Sequence, residues 1–356
     1  MEFKSKLQNI CDKYHNDYNY SGTCLVRKGD RSLFSYACGM AHRGFGIPNR
    51  LDTKFNTASI SKIFTAAAVL LLIEDGKFGF GDAITQLIDL KGTEIPEDVT
   101  IEHLLTHTSG IADDEDEEAG IKYEDLFIDK PNYSIRNTVD FLPQFAYKKP
   151  LFKAGTKADY NNCAFIPLGL AIEKYSGLDY RSFVVEEIIQ PLRLENTAFC
   201  AHDTVNENTA EGYATIRDED RNCTGYMKNI YMFPPIGTPD GGIYSSVEDL
   251  DKFIRCFRAE ALLSSEYSEL MLSPHSEHTW QDIWGNRPPV NIHPGYGFDF
   301  IVKGNKIVSM SKDGGFPGAK ARIMIYPETD ISVAILANSD CNIWEMHRQM
   351  EEILFC

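Results

Sequence analysis

The sequence predicts an α+β fold, an α/β sandwich. A mainly antiparallel sheet is built from both ends of the chain and flanked by helices, with a mostly helical region inserted between. Three observations predict it. Strand-like runs lie near both termini, helical periodicity dominates the middle, and the almost wholly apolar run Ile63–Ile73 reads as a helix buried around most of its circumference.

The elements follow in order. Residues 2–16 carry a helical pattern, and Gly22–Ala41 reads as two strands joined at Lys28-Gly29-Asp30, a hairpin turn signal. The apolar helix has Asn56 or Thr57 as its N-cap and Asp75-Gly76 as its stop. Val99–Gly110 reads as a short helix ended by its glycine, and the acidic run Asp113–Glu118 as a solvated loop. Helical periodicity returns at Ser134–Ala146, Cys163–Tyr175 and Tyr180–Leu192. Asp240–Phe253 is a glycine turn followed by a helix opened by Ser246, with Asp249 at capping-box spacing. Four strands then fall at Gly297–Val302, Lys306–Met310, Ala321–Tyr326 and Ile331–Asn338, before a closing helix, Ile343–Phe355. The expectation is one domain over residues 1–356. An α/β part (about 1–54 and 240–356) and a mainly helical part (about 55–239) would face each other across a cleft.

Composition narrows the function classes. At 356 residues, 43% hydrophobic and 12% aromatic, the chain is long enough to bury a substantial core. A formal charge of −17 argues against nucleic acid and anionic membrane surfaces as partners. No apolar signal segment opens the sequence and no apolar run has membrane-spanning length. The nine cysteines include no Cys-x-x-Cys pair, which fits free thiols in a reducing compartment. The location these features predict is cytoplasmic.

Chemistry concentrates at three places. Ser59 and Lys62 lie three apart at the start of the buried helix, a spacing that brings the amine to the hydroxyl beside the helix's positive end. Tyr160-Asn161-Asn162 precedes the helix Cys163–Tyr175, and Lys312-Asp313-Gly314-Gly315 falls between apolar strand-like runs. Each motif alone is weak: Ser-x-x-Lys recurs at Ser309–Lys312, and Tyr14-His15-Asn16 repeats the second pattern. His103 and His107 are four apart but lack the glutamate of a His-Glu-x-x-His zinc site, so no metal and no cofactor are expected. Cys163 reads as a buried thiol.

Taken together, the ordered set resembles the serine beta-lactamase and penicillin-binding protein superfamily, in its class C-like branch. That branch includes DD-peptidases, D-aminopeptidases and family VIII-type esterases. Ile101–Gly110, Gly241–Leu250 and Gly315–Gly318 also resemble family phrases, and the likeness covers roughly residues 20–340. It implies a beta-lactamase/transpeptidase-like fold and a serine hydrolase that works through an acyl-enzyme on Ser59. Lys62 and Tyr160 would share the base work, Asn162 would orient Lys62 and substrate, and Lys312, Asp313 and Gly314 would contact substrate. The backbone N–H groups of Ser59 and Gly315 would form the oxyanion hole. Either a neutral Lys62 or a Tyr160 phenolate serves as base. A neutral lysine requires its pKa to fall from about 10.4 toward neutrality, costing about 4 kcal/mol.

One position departs from the family pattern. Asp313 stands where the family carries a hydroxyl that helps hold a substrate carboxylate. The expectation is that Asp313 repels such a group or is neutralised by Lys312, with Lys320 and Arg322 able to rescue carboxylate binding from the next strand. The implied substrates are small esters, amides or peptides, including D-amino-acid-containing ones. The alternatives are a true beta-lactamase or DD-peptidase, and a non-catalytic scaffold that keeps the fold.

Overall fold

Period-two apolar runs from the two ends of the chain meet in one sheet. The computed structural model describes residues 2–114, 125–128, 130–220, 222–282 and 290–356. Helix α1 (Glu2–Tyr18) leads into strands β1 (Gly22–Lys28) and β2 (Arg31–Cys38). Helices α2 (Ser61–Glu74), α3 (Phe165–Ser176) and α4 (Val247–Arg258) follow. The second half of the sheet is β3 (Trp280–Asp282), β4 (Val290–Pro294), β5 (Asp299–Lys303), β6 (Lys306–Phe316), β7 (Ala319–Tyr326) and β8 (Ile331–Ala337), closed by α5 (Ile343–Leu354).

The strand order is β3-β4-β5-β6-β7-β8-β1-β2, antiparallel throughout, so β8 pairs with β1 and joins the chain ends. Alternation assigns the two faces. Cys24, Val26, Met324, Val333 and Ile335 pack under α1 and α5, together with Leu7, Cys11, Ile343 and Met346. Leu25, Ala321, Ile323, Ala334 and Leu336 join the larger core of α2, α3 and α4. Strand β8, buried along its whole length, is apolar on both faces except at Ser332, whose hydroxyl donates to the buried Asp251. In the large core, Phe64 of α2 stacks on Phe253 of α4 at 3.8 Å.

Most expected elements form, and the departures have local causes. The helix expected over Ser134–Ala146 is two 3-10 segments, Asn132–Ser134 and Thr138–Gln144. Pro143 has no N–H to continue an α-helix there. The hairpin Tyr213–Arg217 with Cys223–Lys228 was not anticipated within the helical region. Strand β6 runs straight through Lys312–Gly315 rather than stopping before it. Asp113 is not part of a solvated loop, because both its carboxylate oxygens accept backbone N–H groups. Residues 115–118 of that acidic run lie outside the described residues. Among the described residues no helix is long and apolar enough to cross a membrane.

Candidate active site

Ser59 sits in a short 3-10 turn, Ala58–Ile60, that feeds α2, rather than in the first turn of the α-helix itself. Neither expected cap closes the helix in the usual way. Asn56 Oδ1 accepts the Ala58 N–H at 2.9 Å, while the Thr57 hydroxyl donates to the Ile243 carbonyl at 2.8 Å. The Ser61 hydroxyl donates to Ala58 O and accepts from Ile243 N–H, stitching this turn to Gly241–Ile243. Ala58 is held at φ +47°, a left-handed conformation that costs a non-glycine residue about 1–2 kcal/mol. The strain falls one residue before the hydroxyl it presents.

Lys62 is wholly buried. Its Nζ lies 3.2 Å from Ser59 Oγ, 2.9 Å from Asn162 Oδ1 and 2.6 Å from the Asp240 carbonyl oxygen. Burial lowers its pKa, opposed by the charges of Asp240, Asp113 and Asp114. The Tyr160 hydroxyl interacts with the Ser59 side chain. Burial pushes this phenol up to about 12, against the pull of Lys312 and of the Ser59 contact. The segment carrying Tyr160 and Asn162 is pinned from three sides. Asn161 Nδ2 donates to Ile111 O, its backbone N–H donates to His107 Nδ1, and Asp113 takes the N–H groups of Asn162 and Cys163. Cys163 is a buried thiol with a raised pKa.

The strand side of the site follows from alternation along β6. Lys312 and Gly314 stand opposite Ile323 and Ala321, on the face that meets the helical core, and so toward Ser59. Lys312 is buried with Nζ 4.7 Å from the Tyr160 ring centre and 3.3 Å from the Asp299 carboxylate. A Cβ on Gly314 would fall 2.2 Å from Thr57 O and 3.0 Å from Ser59 N, so only glycine lets the strand approach the turn this closely. β5 begins at Asp299, opposite Ser311, and beyond that point Lys312–Phe316 pair with β7. Gly315 and Phe316 therefore border the open cleft that also holds Ser59, Asn162, Asp240 and an apolar wall of Phe127, Phe141, Met232 and Phe233.

Asp313 is the exception. It stands opposite Arg322, on the α1/α5 face, and its carboxylate pairs with Arg322 at 3.0 Å. The expected contact of Asp313 with substrate at the nucleophile, and its neutralisation by Lys312, are not found. One step along a strand reverses the side chain, and Arg322 supplies the counter-charge instead. Lys320 shares that face and donates to Phe316 O. The structure thus gathers Ser59, Lys62, Tyr160, Asn162, Lys312, Gly314 and Gly315, and leaves Asp313 outside. Sequence reasoning missed Asp240, Asp299 and His107. The first two are distant in sequence from the motifs they serve, and the third lay in a phrase read as packing.

Fold and chemistry together define a serine hydrolase built on the β-lactamase plan. The chain belongs to the Beta-lactamase family, whose model matches residues 7–353. A penicillin binding protein of known structure from Bacillus halodurans is 33% identical and superposes with a TM-score of 0.87 over 98% of this chain and 99% of that one. Penicillin-binding protein 4* of Bacillus subtilis (strain 168) is 24% identical over 95% of this chain and 72% of its own length. Esterase EstB of Burkholderia gladioli is 28% identical, over 72% of this chain and 70% of its own length.

Proposed function

We propose that the whole chain acts as a single catalytic domain that cleaves small esters or amides through an acyl-enzyme on Ser59. The observation that carries this reading is the buried Lys62 Nζ, 3.2 Å from Ser59 Oγ. A neutral amine has two hydrogens and one lone pair. The hydrogens suit Asn162 Oδ1 and the Asp240 carbonyl, which leaves the lone pair for the Ser59 proton. The lowered pKa of Lys62 and the raised pKa of Tyr160 favour the lysine as base and the phenol as proton donor.

In the first half-reaction the Ser59 oxygen bonds to the acyl carbon as its proton passes to Lys62. The bond to the leaving group breaks, and that group takes a proton from the Tyr160 hydroxyl, which Lys62 resupplies. The N–H groups of Ser59 and Gly315 receive the charge on the carbonyl oxygen. Water then attacks the acyl carbon, and its proton passes through the Tyr160 hydroxyl to the Lys62 amine. The bond from the acyl carbon to Ser59 Oγ breaks, and the same relay returns a proton to that oxygen as the acid leaves. The wall of Phe127, Phe141, Met232 and Phe233 suits an apolar acyl group. Similarity to an esterase and to penicillin-binding proteins supports the acyl-transfer class.

The test is intact-mass spectrometry after exposure to a fluorophosphonate and, separately, to a penicillin, with p-nitrophenyl acetate and nitrocefin turnover alongside. A fluorophosphonate adduct that disappears in Ser59→Ala, with ester turnover and no penicillin adduct, is the expected result. A stable penicilloyl adduct moves the substrate class to cell-wall peptides, and fast nitrocefin loss moves it to β-lactams. Folded protein that takes no adduct and turns over nothing would overturn the enzyme reading.

A further inference from the structure

His107 takes no part in the steps above, yet it is buried against the centre of the site. It is held at φ +56°, in the left-handed region, and its carbonyl accepts the Asp159 N–H at 2.9 Å, one residue before Tyr160. Its Nδ1 accepts the Asn161 backbone N–H at 3.1 Å, which fixes the remaining proton on Nε2. The imidazole stacks on the Tyr160 ring at 4.6 Å with 29° between planes, and meets Trp280 edge-on at 5.7 Å. Lys62 and Lys312 Nζ lie 5.3 and 4.7 Å from the same Tyr160 ring centre. Burial, with Lys312 and Lys62 nearby, holds the imidazole pKa well below its ordinary value, so the stacked ring is neutral and adds no cation beside the phenol.

We propose that His107 is a positioning residue for Tyr160. It holds the phenol ring by stacking, and holds the backbone one residue further on through the Asn161 N–H. Two attachments at adjacent residues fix both the place and the tilt of the ring, which is what aims its hydroxyl at Ser59. Simple packing needs a ring of the right size but no acceptor at Nδ1. The hydrogen bond and the left-handed backbone are extra features, both aimed at the same segment.

The proposal rests on the acyl-enzyme reading and is tested by a double-mutant cycle between His107→Asn and Tyr160→Phe. Asparagine tolerates φ > 0 and offers an acceptor near the Nδ1 position, so it removes the ring while sparing the fold. Alanine would strand the Asn161 N–H. The readout is the second-order rate of fluorophosphonate labelling at Ser59, measured by intact mass, with melting temperature as the control. His107→Asn is expected to slow labelling about 10-fold in the parent protein and less than about 2-fold in the Tyr160→Phe background. For p-nitrophenyl acetate the loss should fall on kcat with KM nearly unchanged. Equal losses in both backgrounds would overturn the proposal, as would a Tyr160→Phe protein that labels at the parental rate. His107→Gln, run through the same cycle, replaces His107→Asn if the latter melts early. Parent protein that takes no label breaks the acyl-enzyme reading instead, a distinguishable result.

Discussion

The two halves of the site are built in opposite ways. At the helix end, Ser59 and Lys62 come from one local turn, and among the described residues Lys62 Nζ hydrogen-bonds to a hydroxyl, an amide oxygen and a backbone carbonyl, all neutral. On the strand side, Lys312 is ion-paired with Asp299, and the neighbouring Asp313 is ion-paired with Arg322 on the other face of the sheet. Two buried lysines within reach of one tyrosine thus have different electrostatic partners. With those neutral hydrogen-bond partners, burial outweighs the charges of Asp240, Asp113 and Asp114 and works against a charge on Lys62, which suits proton transfer. Paired with Asp299, Lys312 suits a fixed cation.

The largest test of this contrast is at the helix end. Ser59→Ala is expected to lower p-nitrophenyl acetate turnover by about 1000-fold or more and to remove the fluorophosphonate adduct. Residual turnover within about 10-fold of the parent would place the chemistry elsewhere.

Lys62→Met should follow, with a loss of about 100-fold or more. The pH dependence has a definite sign. In the proposed mechanism only the neutral amine accepts the Ser59 proton, so kcat/KM should rise as pH rises through the lowered pKa of Lys62. It should fall again where Tyr160, at about 12, loses the proton it donates. A profile whose acid limb survives in Lys62→Met would assign that limb to another group.

Gly314→Ala probes where strand and turn touch. The added methyl meets Thr57 O and Ser59 N, both backbone atoms that can yield only by moving Ser59. Turnover should drop about 100-fold, with about 1–3 kcal/mol lost in denaturant unfolding. Gly81→Ala, where an added Cβ meets nothing within 4 Å, is the control and should stay within about 0.5 kcal/mol of the parent.

The same contrast explains what was legible in the sequence. Ser59 with Lys62, and Tyr160 with Asn162, are local spacings on or beside helices, and a linear pattern reveals them. The sheet was legible too, because its β6–β7–β8 meander carries continuous apolar strand signals, and the Ser246 cap on α4 is a local motif that forms as expected. What stayed hidden is non-local. Arg322 meets Asp313 only through the β6–β7 register, and Asp299 meets Lys312 only because β5 begins beside it. His107 joins Tyr160 across 53 residues, from inside a phrase whose apolar spacing suggests only packing. Ala58 gave no warning of its left-handed backbone, since alanine is not the residue such a position ordinarily selects.

Asp313→Thr carries the smallest expected effect on chemistry and the sharpest bearing on the strand side. Restoring the family's hydroxyl would raise nitrocefin turnover relative to a neutral ester if Asp313 met the substrate. The alternation of β6 places it on the opposite face, so that ratio should change by less than about 2-fold. Stability should respond instead. The Arg322 side chain is only 9% exposed, and losing its carboxylate leaves a buried guanidinium, a cost of about 1–3 kcal/mol in denaturant unfolding. Adding Arg322→Gln to Asp313→Thr removes the orphaned charge and should recover part of that loss. A nitrocefin-to-ester ratio that rises several-fold in Asp313→Thr and persists in the double variant would mean that the hydroxyl itself reaches substrate. In that case the alternation of β6 must break at Asp313 when the cleft is filled. A rise that vanishes with Arg322→Gln would instead identify the freed guanidinium as the new anion contact.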